Sequence, residues 1–127
     1  GYFCDAPAVL GAIDDPAITI LDARSAERFR GDVEEPRADL RRGHMPSSLN
    51  LPFPSLFDQG MMKSTDELQT IFSELIPAGN RAIFSCGSGV TACVLALGAH
   101  LIGNDRITVY DGSWCEWGQP GDLPVVR

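Results

Sequence analysis

The sequence predicts an α/β domain in which a central parallel sheet carries helices on both faces. Short apolar runs indicate buried strands, and stretches with helical spacing separate them along the chain. Parallel strands need long crossover connections, which these helical stretches supply. A sheet of this kind is covered by helices on both sides. Because 127 residues suit one hydrophobic core, we expect a single domain over residues 1–127.

The predicted strands are AITILDAR (17–24), a short strand at 49–51, RAIFSC (81–86) and RITVYDG (106–112). Helices are predicted over 6–13, over 26–30, from a cap at Ser64 to about Leu75, and over 90–102. Ser25 is placed to cap the second helix, and Ser64 with Glu67 forms a capping box at the third. The stretch 31–48 between these elements is predicted to be irregular.

Composition excludes several classes of partner. The net charge of −7 disfavours nucleic acid and anionic membrane surfaces, and no apolar stretch approaches the ~20 residues needed to span a bilayer. The four cysteines have no CxxC spacing and no accompanying histidine pair, so no zinc site is predicted. No secretory signal pattern opens the chain, and we therefore expect reduced thiols and a cytoplasmic location.

Arginines are concentrated in one part of this acidic chain. Six of the ten basic residues lie between positions 24 and 42, and acidic residues are interspersed among them. One interpretation is a solvated loop crossed by salt bridges. The other is a site for a small planar anion, because the guanidinium fork matches a carboxylate.

The segment SCGSGVTAC (85–93) contains the chemically most informative residue. Cys86 ends a predicted parallel strand just before a helix, where open α/β sheets place their ligand sites. Gly87 and Gly89 allow successive backbone N–H groups to converge, and the helix dipole adds to the same point. This environment favours a reactive thiolate on Cys86. A purely structural cysteine would account for the thiol but not for the glycines.

Two chemistries suit a cysteine in such a loop: phosphoryl transfer and sulfur transfer through a persulfide. Cysteine phosphatases use a C-x5-R pattern whose arginine clamps the phosphate, but Ala92 occupies that position here. A short ring of amides also fits one terminal sulfur better than a tetrahedral phosphate. The loop therefore favours sulfur transfer.

The sequence resembles the 3-mercaptopyruvate sulfurtransferases of the rhodanese superfamily. The resemblance is carried by CGSGVTA (86–92), LDARSAERFRG (21–31), EEPR (34–37), RRGHMPSSLNLPF (41–53) and VYDGSWCEWG (109–118). It covers nearly the whole chain and corresponds to the second, catalytic half of the family's two-domain proteins. It implies the rhodanese fold and a preceding rhodanese-like domain as a partner.

The resemblance also implies individual roles. Cys86 corresponds to the nucleophile and persulfide carrier, Arg28 and Arg37 to the arginines that bind the substrate's carboxylate and carbonyl. The Ser88 hydroxyl is expected to assist proton movement. The backbone cradle for the persulfide is expected from Gly87, Ser88, Gly89, Val90 and Thr91.

Other residues of the matched stretches are expected to be structural. Asp22 and Arg24 correspond to a structural pair, and His44 is expected to be a structural histidine rather than a base. Cys93 is expected in the core of its helix, and Cys115, which lies between two tryptophans, is expected to be buried. A redox role for either thiol is the less favoured alternative.

The predicted function is transfer of sulfur from 3-mercaptopyruvate, a small anionic donor, to cyanide or to a thiol such as thioredoxin or a small thiol, with release of pyruvate. No metal and no organic cofactor is required. Thiosulfate-specific relatives carry basic residues in CRKGVTA, whereas this chain has Gly87 and Ser88 there. The alternatives are a thiosulfate sulfurtransferase and a non-catalytic module that carries sulfur or binds proteins.

Overall fold

The computed structural model describes residues 2–127. Its strands are β1 (Phe3–Cys4), β2 (Ile18–Asp22), β3 (Leu49–Asn50), β4 (Phe57–Asp58), β5 (Met61–Met62), β6 (Arg81–Ser85) and β7 (Ile107–Tyr110). Its helices are α1 (Ala6–Ile13), α2 (Ala26–Arg30), α3 (Thr65–Leu75), α4 (Val90–Leu101) and α5 (Ser113–Trp117), with a 3₁₀ helix at Phe53–Leu56.

Five of the strands form one sheet in the order β1-β7-β6-β2-β3, and every neighbouring pair is parallel. The central pair is the longest, with β2 and β6 in register from Ile18 opposite Arg81 to Asp22 opposite Ser85. Strands β4 and β5 form a separate antiparallel hairpin. The predicted α/β class with a parallel sheet is confirmed.

The two faces of the sheet are buried against different helices. Side chains of a strand alternate between faces, so Ala82 and Phe84 of β6 belong to one hydrophobic cluster and Ile83 to the other. The first cluster joins the sheet to α3, α4 and the 3₁₀ helix, and the second joins it to α1 and α5. Helices therefore cover both faces, as predicted.

Local sequence signals place the helix ends. The Ser25 hydroxyl accepts a hydrogen bond from the backbone N–H of Arg28 at 3.3 Å, and Ser64 accepts one from Glu67 at 3.3 Å. Each bond satisfies one of the free N–H groups of a first helical turn. The helices predicted from these caps are confirmed.

The structure adds elements that the hydrophobic pattern does not reveal. These are β1, the 3₁₀ helix, the β4–β5 hairpin and α5. Strands β1, β4 and β5 have two residues each, too few to show an alternating pattern. Strands β2, β6 and β7 are shorter than predicted because residues at the ends of the predicted runs belong to the adjoining loops.

The expectations for two cysteines are wrong. Cys93 is exposed rather than in the helix core, because α4 buries Ala92, Leu95 and Ala99, and position 93 points away from that face. Cys115 is half-buried, although both flanking tryptophan positions of α5 are fully buried.

Within residues 2–127, no helix is both long enough and apolar enough to cross a membrane.

Two leucines of α4 test the assignment of its buried face. Leu95 is 0% exposed and Leu97 is 51% exposed, so the same Leu→Ala change removes very different contacts. Leu95→Ala should lower the free energy of unfolding by about 2–5 kcal/mol, through lost burial and the cavity left behind. Leu97→Ala should cost less than about 1 kcal/mol. Urea denaturation of both variants measures the difference, and equal losses would contradict the assigned orientation of α4.

Candidate active site

The carboxyl ends of three neighbouring strands bring the predicted functional residues together. Cys86 directly follows β6, Asp22 ends β2, and Ser113 lies just beyond β7. Cys86 is 1% exposed and belongs to the hydrophobic cluster shared with α4. Cys86 therefore lies where the sequence predicts it, at the edge of the sheet and shielded from bulk water.

The loop after Cys86 directs a backbone donor at the sulfur. The N–H of Gly89 donates to Cys86 Sγ at 2.9 Å. Gly89 precedes the first residue of α4 and has a φ of +97°, a conformation that other residues rarely adopt. A methyl group at Gly89 would lie 2.7 Å from the carbonyl oxygen of Asp111. Both facts account for the glycine, and the donor at the helix terminus favours negative charge on the sulfur.

Ser113 contacts Cys86 from the other side. Its hydroxyl accepts a hydrogen bond from the Cys86 N–H at 3.0 Å and donates one to the carbonyl of Tyr110 at 2.8 Å. Ser113 is fully buried with a φ of +50°, and its Oγ lies 3.9 Å from Cys86 Sγ. Sequence reasoning missed this residue, although it lies inside the quoted stretch VYDGSWCEWG. A serine after a glycine shows no signal for this role until the fold is known.

Four buried or partly buried charged side chains are linked by successive ion pairs beside the loop. Arg24 binds Asp22 through a fork, with Nη2 to Oδ2 at 2.8 Å, and its Nη1 lies 3.4 Å from Glu35 Oε2. Arg28 Nη2 donates to Glu35 Oε1 at 2.8 Å. Ion pairs do cross the arginine-rich segment, but those of Arg24 and Arg28 are buried or partly buried rather than solvated. Glu35 was not singled out from the sequence; its only signal is its place in EEPR.

Arg28 brings a positive charge to the loop that follows Cys86. A methyl group at Gly87 would lie 3.0 Å from Arg28 Nη2, so the guanidinium packs directly against the loop backbone. The hydrogen bond to Glu35 raises the pKa of Arg28, which keeps the guanidinium charged. Its side chain remains 27% exposed and can therefore contact a ligand.

A cavity of ≈ 260 Å³ opens beside the loop. Two arginines and the loop after Cys86 form its polar side. The segment 52–54, with two prolines and a phenylalanine, forms its apolar side. The lining residues are Ala23, Arg24, Ser25, Arg28, Pro52, Phe53, Pro54, Gly87 and Thr91. This combination suits a small organic anion.

The second arginine that the resemblance implies lies elsewhere. Arg37 is exposed and lines a separate cavity of ≈ 350 Å³ together with Cys115 and Gln119. The backbone N–H of Cys115 donates to the carbonyl of Gly87 at 2.8 Å, so this cavity adjoins the same loop. Of the predicted site residues, the structure thus brings Arg28, Gly87 and Thr91 into one cavity and places Arg37 in another.

The remaining residues named from the sequence lie outside the two cavities. Ser88 and Val90 are exposed at the tip of the loop and the start of α4. His44 Nδ1 lies 2.7 Å from the carbonyl oxygen of Phe29, and the two rings are stacked. In the part of the chain that the structure describes, no cluster of His, Cys, Asp or Glu has an arrangement that could hold a metal ion.

Fold and site together define an α/β domain with a cysteine at the carboxyl edge of a parallel sheet, whose sulfur accepts a backbone N–H from the loop that follows. The sequence profile of the rhodanese-like domain matches residues 5–120, and the chain belongs to this family.

Relatives within the family are close in sequence but longer. The chain is 46% identical over 118 residues to a 3-mercaptopyruvate sulfurtransferase of Escherichia coli (strain K12), covering 92% of the chain and 42% of that protein. It is 44% identical over 115 residues to the thiosulfate/3-mercaptopyruvate sulfurtransferase 1, mitochondrial, of Arabidopsis thaliana, covering 89% of the chain and 30% of that protein. The chain thus spans less than half the length of these relatives.

A solved structure shows the same architecture. The crystal structure of SseA from Escherichia coli, described as a 3-mercaptopyruvate sulfotransferase with the rhodanese fold, matches with a TM-score of 0.74 and 40% identity. The match covers 88% of this chain and 42% of that chain. The predicted resemblance to the rhodanese superfamily is confirmed.

Two glycines with similar backbones test the loop geometry. Gly89 and Gly103 have φ values of +97° and +84°, but a methyl group collides with Asp111 only at Gly89, whereas no described atom lies within 4 Å at Gly103. Gly103→Ala should cost about 1–3 kcal/mol of stability from backbone strain alone. Gly89→Ala should cost more and should also slow alkylation of Cys86, since the N–H that contacts the sulfur is displaced. Chemical denaturation and site-resolved alkylation rates measure both effects; equal behaviour of the two variants would contradict the geometry.

Proposed function

We propose that this domain transfers sulfur from 3-mercaptopyruvate to a thiol or cyanide acceptor through a persulfide on Cys86. The observation that carries the proposal is the N–H of Gly89 on Cys86 Sγ at 2.9 Å, beside a cavity that contains Arg28. A backbone donor and a cation next to a thiol favour the thiolate, which is the nucleophilic form. Family membership supports the same assignment.

The reaction begins with attack of the Cys86 thiolate on the sulfur of 3-mercaptopyruvate. A sulfur–sulfur bond forms, the carbon–sulfur bond breaks, and its electron pair leaves with pyruvate as the enolate. The enolate takes up a proton to give pyruvate, and the persulfide loses its proton. An acceptor thiolate or cyanide then attacks the outer sulfur, and the Cys86 thiolate is released. No oxidant or reductant is consumed.

The residues around Cys86 support each step. Arg28 lies at the loop and can bind the substrate's carboxylate with a charge-assisted hydrogen bond. The Gly89 N–H stabilises the persulfide anion, together with the other amides of residues 87–91. Ser88 is exposed at the loop tip, where its hydroxyl is available for proton movement. Arg37 would approach the donor from the neighbouring cavity.

The proposal includes a second rhodanese-like domain. The Escherichia coli relative is more than twice as long as its matched part, since the chain covers 42% of it. We place this chain as the C-terminal, catalytic half of such a tandem protein. Its acceptor would be thioredoxin or a small thiol in the reducing cytoplasm, where the four free cysteines stay reduced.

Thiosulfate is the second candidate donor, because the Arabidopsis thaliana relative is named for both donors. Two positions of the loop favour mercaptopyruvate. Ser88 is uncharged, and Gly87 packs so closely against Arg28 that a long basic side chain there would meet the guanidinium. A dianion therefore lacks the additional cations that the CRKGVTA loop offers it.

The persulfide assignment predicts a mass change on a single residue. Incubation with 3-mercaptopyruvate should add one sulfur atom to the intact protein, and Cys86→Ser should abolish both this gain and turnover. Cys93→Ser and Cys115→Ser are matched controls that should retain the added sulfur, because neither thiol accepts an N–H from the loop. Intact mass spectrometry followed by peptide mapping measures the outcome. Full persulfidation of Cys86→Ser would refute the assignment.

Arg37 provides a second test, because its removal should not disturb the fold. Within residues 2–127 its guanidinium forms no ion pair, so Arg37→Ala should change stability by less than about 0.5 kcal/mol. Loss of one charge-assisted hydrogen bond to the substrate, worth about 1.5–3 kcal/mol, should lower kcat/KM for mercaptopyruvate ~10- to 150-fold.

The matched control for this test is Arg30→Ala. Arg30 is an exposed arginine of α2 whose ion pair with Asp32, at 2.8 Å, lies at the surface. Its replacement should leave kcat/KM nearly unchanged. An Arg37→Ala variant with the activity of Arg30→Ala would show that Arg37 does not bind the donor.

A further inference from the structure

We propose that Glu35 determines donor specificity by neutralising and orienting Arg28, so that the site favours monoanionic over dianionic sulfur donors. Glu35 contacts neither the nucleophile nor the loop in the described structure, and it acts through the arginine. The inference rests on the proposed function and adds to it a positioning residue that the sequence did not reveal.

Glu35 holds one edge of the Arg28 guanidinium. Arg28 Nη2 donates to Oε1 at 2.8 Å, and Nε lies 3.3 Å from both carboxylate oxygens. The planar fork of a guanidinium is fixed in orientation by such two-nitrogen contacts. Nη1 lies outside this fork, whereas Nη2 both donates to Glu35 and is the guanidinium nitrogen nearest to a methyl group placed at Gly87. Glu35 therefore fixes the orientation in which the Arg28 guanidinium meets the loop and the cavity.

The Glu35 carboxylate is held in turn by Arg24. The Glu35 side chain is 0% exposed, and Arg24 Nη1 approaches its Oε2 at 3.4 Å. Arg24 is held in turn by Asp22, by the carbonyl of Gly43 at 2.7 Å, and by stacking over the Trp114 ring at 4.3 Å. The position of Glu35 is thus set by the folded protein before any donor binds.

The charges of the four linked side chains cancel. Asp22 and Glu35 contribute two negative charges, and Arg24 and Arg28 contribute two positive charges, so their formal sum is zero. The field of a close ion pair falls off faster with distance than the field of a lone cation. Arg28 therefore offers hydrogen bonds to a donor while most of its long-range attraction for anions is offset.

This arrangement affects the two candidate donors differently. A dianion gains twice as much electrostatic free energy from an uncompensated cation as a monoanion does. Neutralising Arg28 removes that advantage, whereas the directional hydrogen bonds that a carboxylate needs are retained. The uncharged loop positions 87 and 88 act in the same direction. Glu35 thus favours a monoanionic carboxylate such as mercaptopyruvate over thiosulfate.

Alkylation of Cys86 tests the charge of the site without requiring any sulfur donor. Glu35→Gln removes the compensating charge at nearly constant size. The rate ratio of anionic iodoacetate to neutral iodoacetamide at Cys86 should then rise about three- to tenfold at low ionic strength, and the gain should shrink as salt is added. Peptide mass spectrometry resolves the site, and the exposed Cys93 serves as an internal reference whose ratio should not change.

The matched control is Glu34→Gln. Glu34 is the neighbouring residue, its side chain is 85% exposed, and its replacement changes the net charge by the same amount. It should leave the ratio at Cys86 within about twofold of the unmodified protein, because exposed charges are screened. Equal ratios in Glu35→Gln and Glu34→Gln would overturn the proposal, as would a Cys86 that reacts with neither reagent.

Steady-state kinetics with the two sulfur donors provide a second test of the role of Glu35. In Glu35→Gln the ratio of kcat/KM for thiosulfate to kcat/KM for mercaptopyruvate should rise about three- to tenfold, with the change for thiosulfate mainly in KM. A residue with only a structural role would lower both values together. Absence of turnover in the unmodified protein would refute the proposed function, whereas the alkylation ratio would still decide the role of Glu35.

Removing a buried charge can prevent folding. Two further measurements test the proposal even if Glu35→Gln does not fold. Glu35→Asp keeps the carboxylate and should keep the alkylation ratio near that of the unmodified protein, although its shorter side chain loosens Arg28. In the unmodified protein, the ratio at Cys86 should change by less than about twofold between low and high salt. A steep fall with salt would reveal an uncompensated cation and overturn the proposal.

Discussion

The buried ion pair of Arg24 and Asp22 is the interaction on which the site depends. It ties the end of β2 to the connection between α2 and β3 through the carbonyl of Gly43, and to α5 through the ring of Trp114. Breaking such a pair by removing one partner costs several kcal/mol, about 3–5 in measured cases, because the other charge stays buried. Segments without regular secondary structure are thereby anchored to the end of β2.

This anchoring keeps the charged arginines and the Cys86 sulfur close together in a small domain. Cys86 lies in a hydrophobic cluster with a single amide on its sulfur, whereas the guanidinium groups stand on the neighbouring strand end and on α2. The sheet keeps the two sets of residues on adjacent strands and at fixed separation. The guanidinium charges and the N–H donor to the sulfur are therefore supplied by different parts of the chain.

Much of this architecture could be predicted from the sequence, because its signals are local. Ser25 and Ser64 cap helices within four residues of themselves, and the glycines beside Cys86 reveal the loop directly. Cys93 was misplaced because α4 is apolar on nearly every side, so composition alone could not identify its buried face. Short strands and α5 carry too few residues for any periodic pattern.

The parts of the site that escaped prediction depend on distant contacts. Glu35 resembles any other acidic residue of a charged loop until the fold places it between two arginines. Arg28 and Arg37 look equivalent in the sequence, yet they line different cavities. The resemblance to a family assigned roles to both arginines, and only the three-dimensional arrangement separates their surroundings.

The hydrogen bond between Cys86 and Ser113, 27 residues apart in the chain, has a kinetic consequence. Contacts of high sequence separation form late, after the entropy of closing the intervening loops has been overcome. Until β2, β6 and β7 have aligned, Cys86 is an ordinary thiol on a flexible chain, with neither amide nor cation beside it. The same topology that builds the surroundings of Cys86 thus leaves this thiol without its amide and cation neighbours in nascent and misfolded chains.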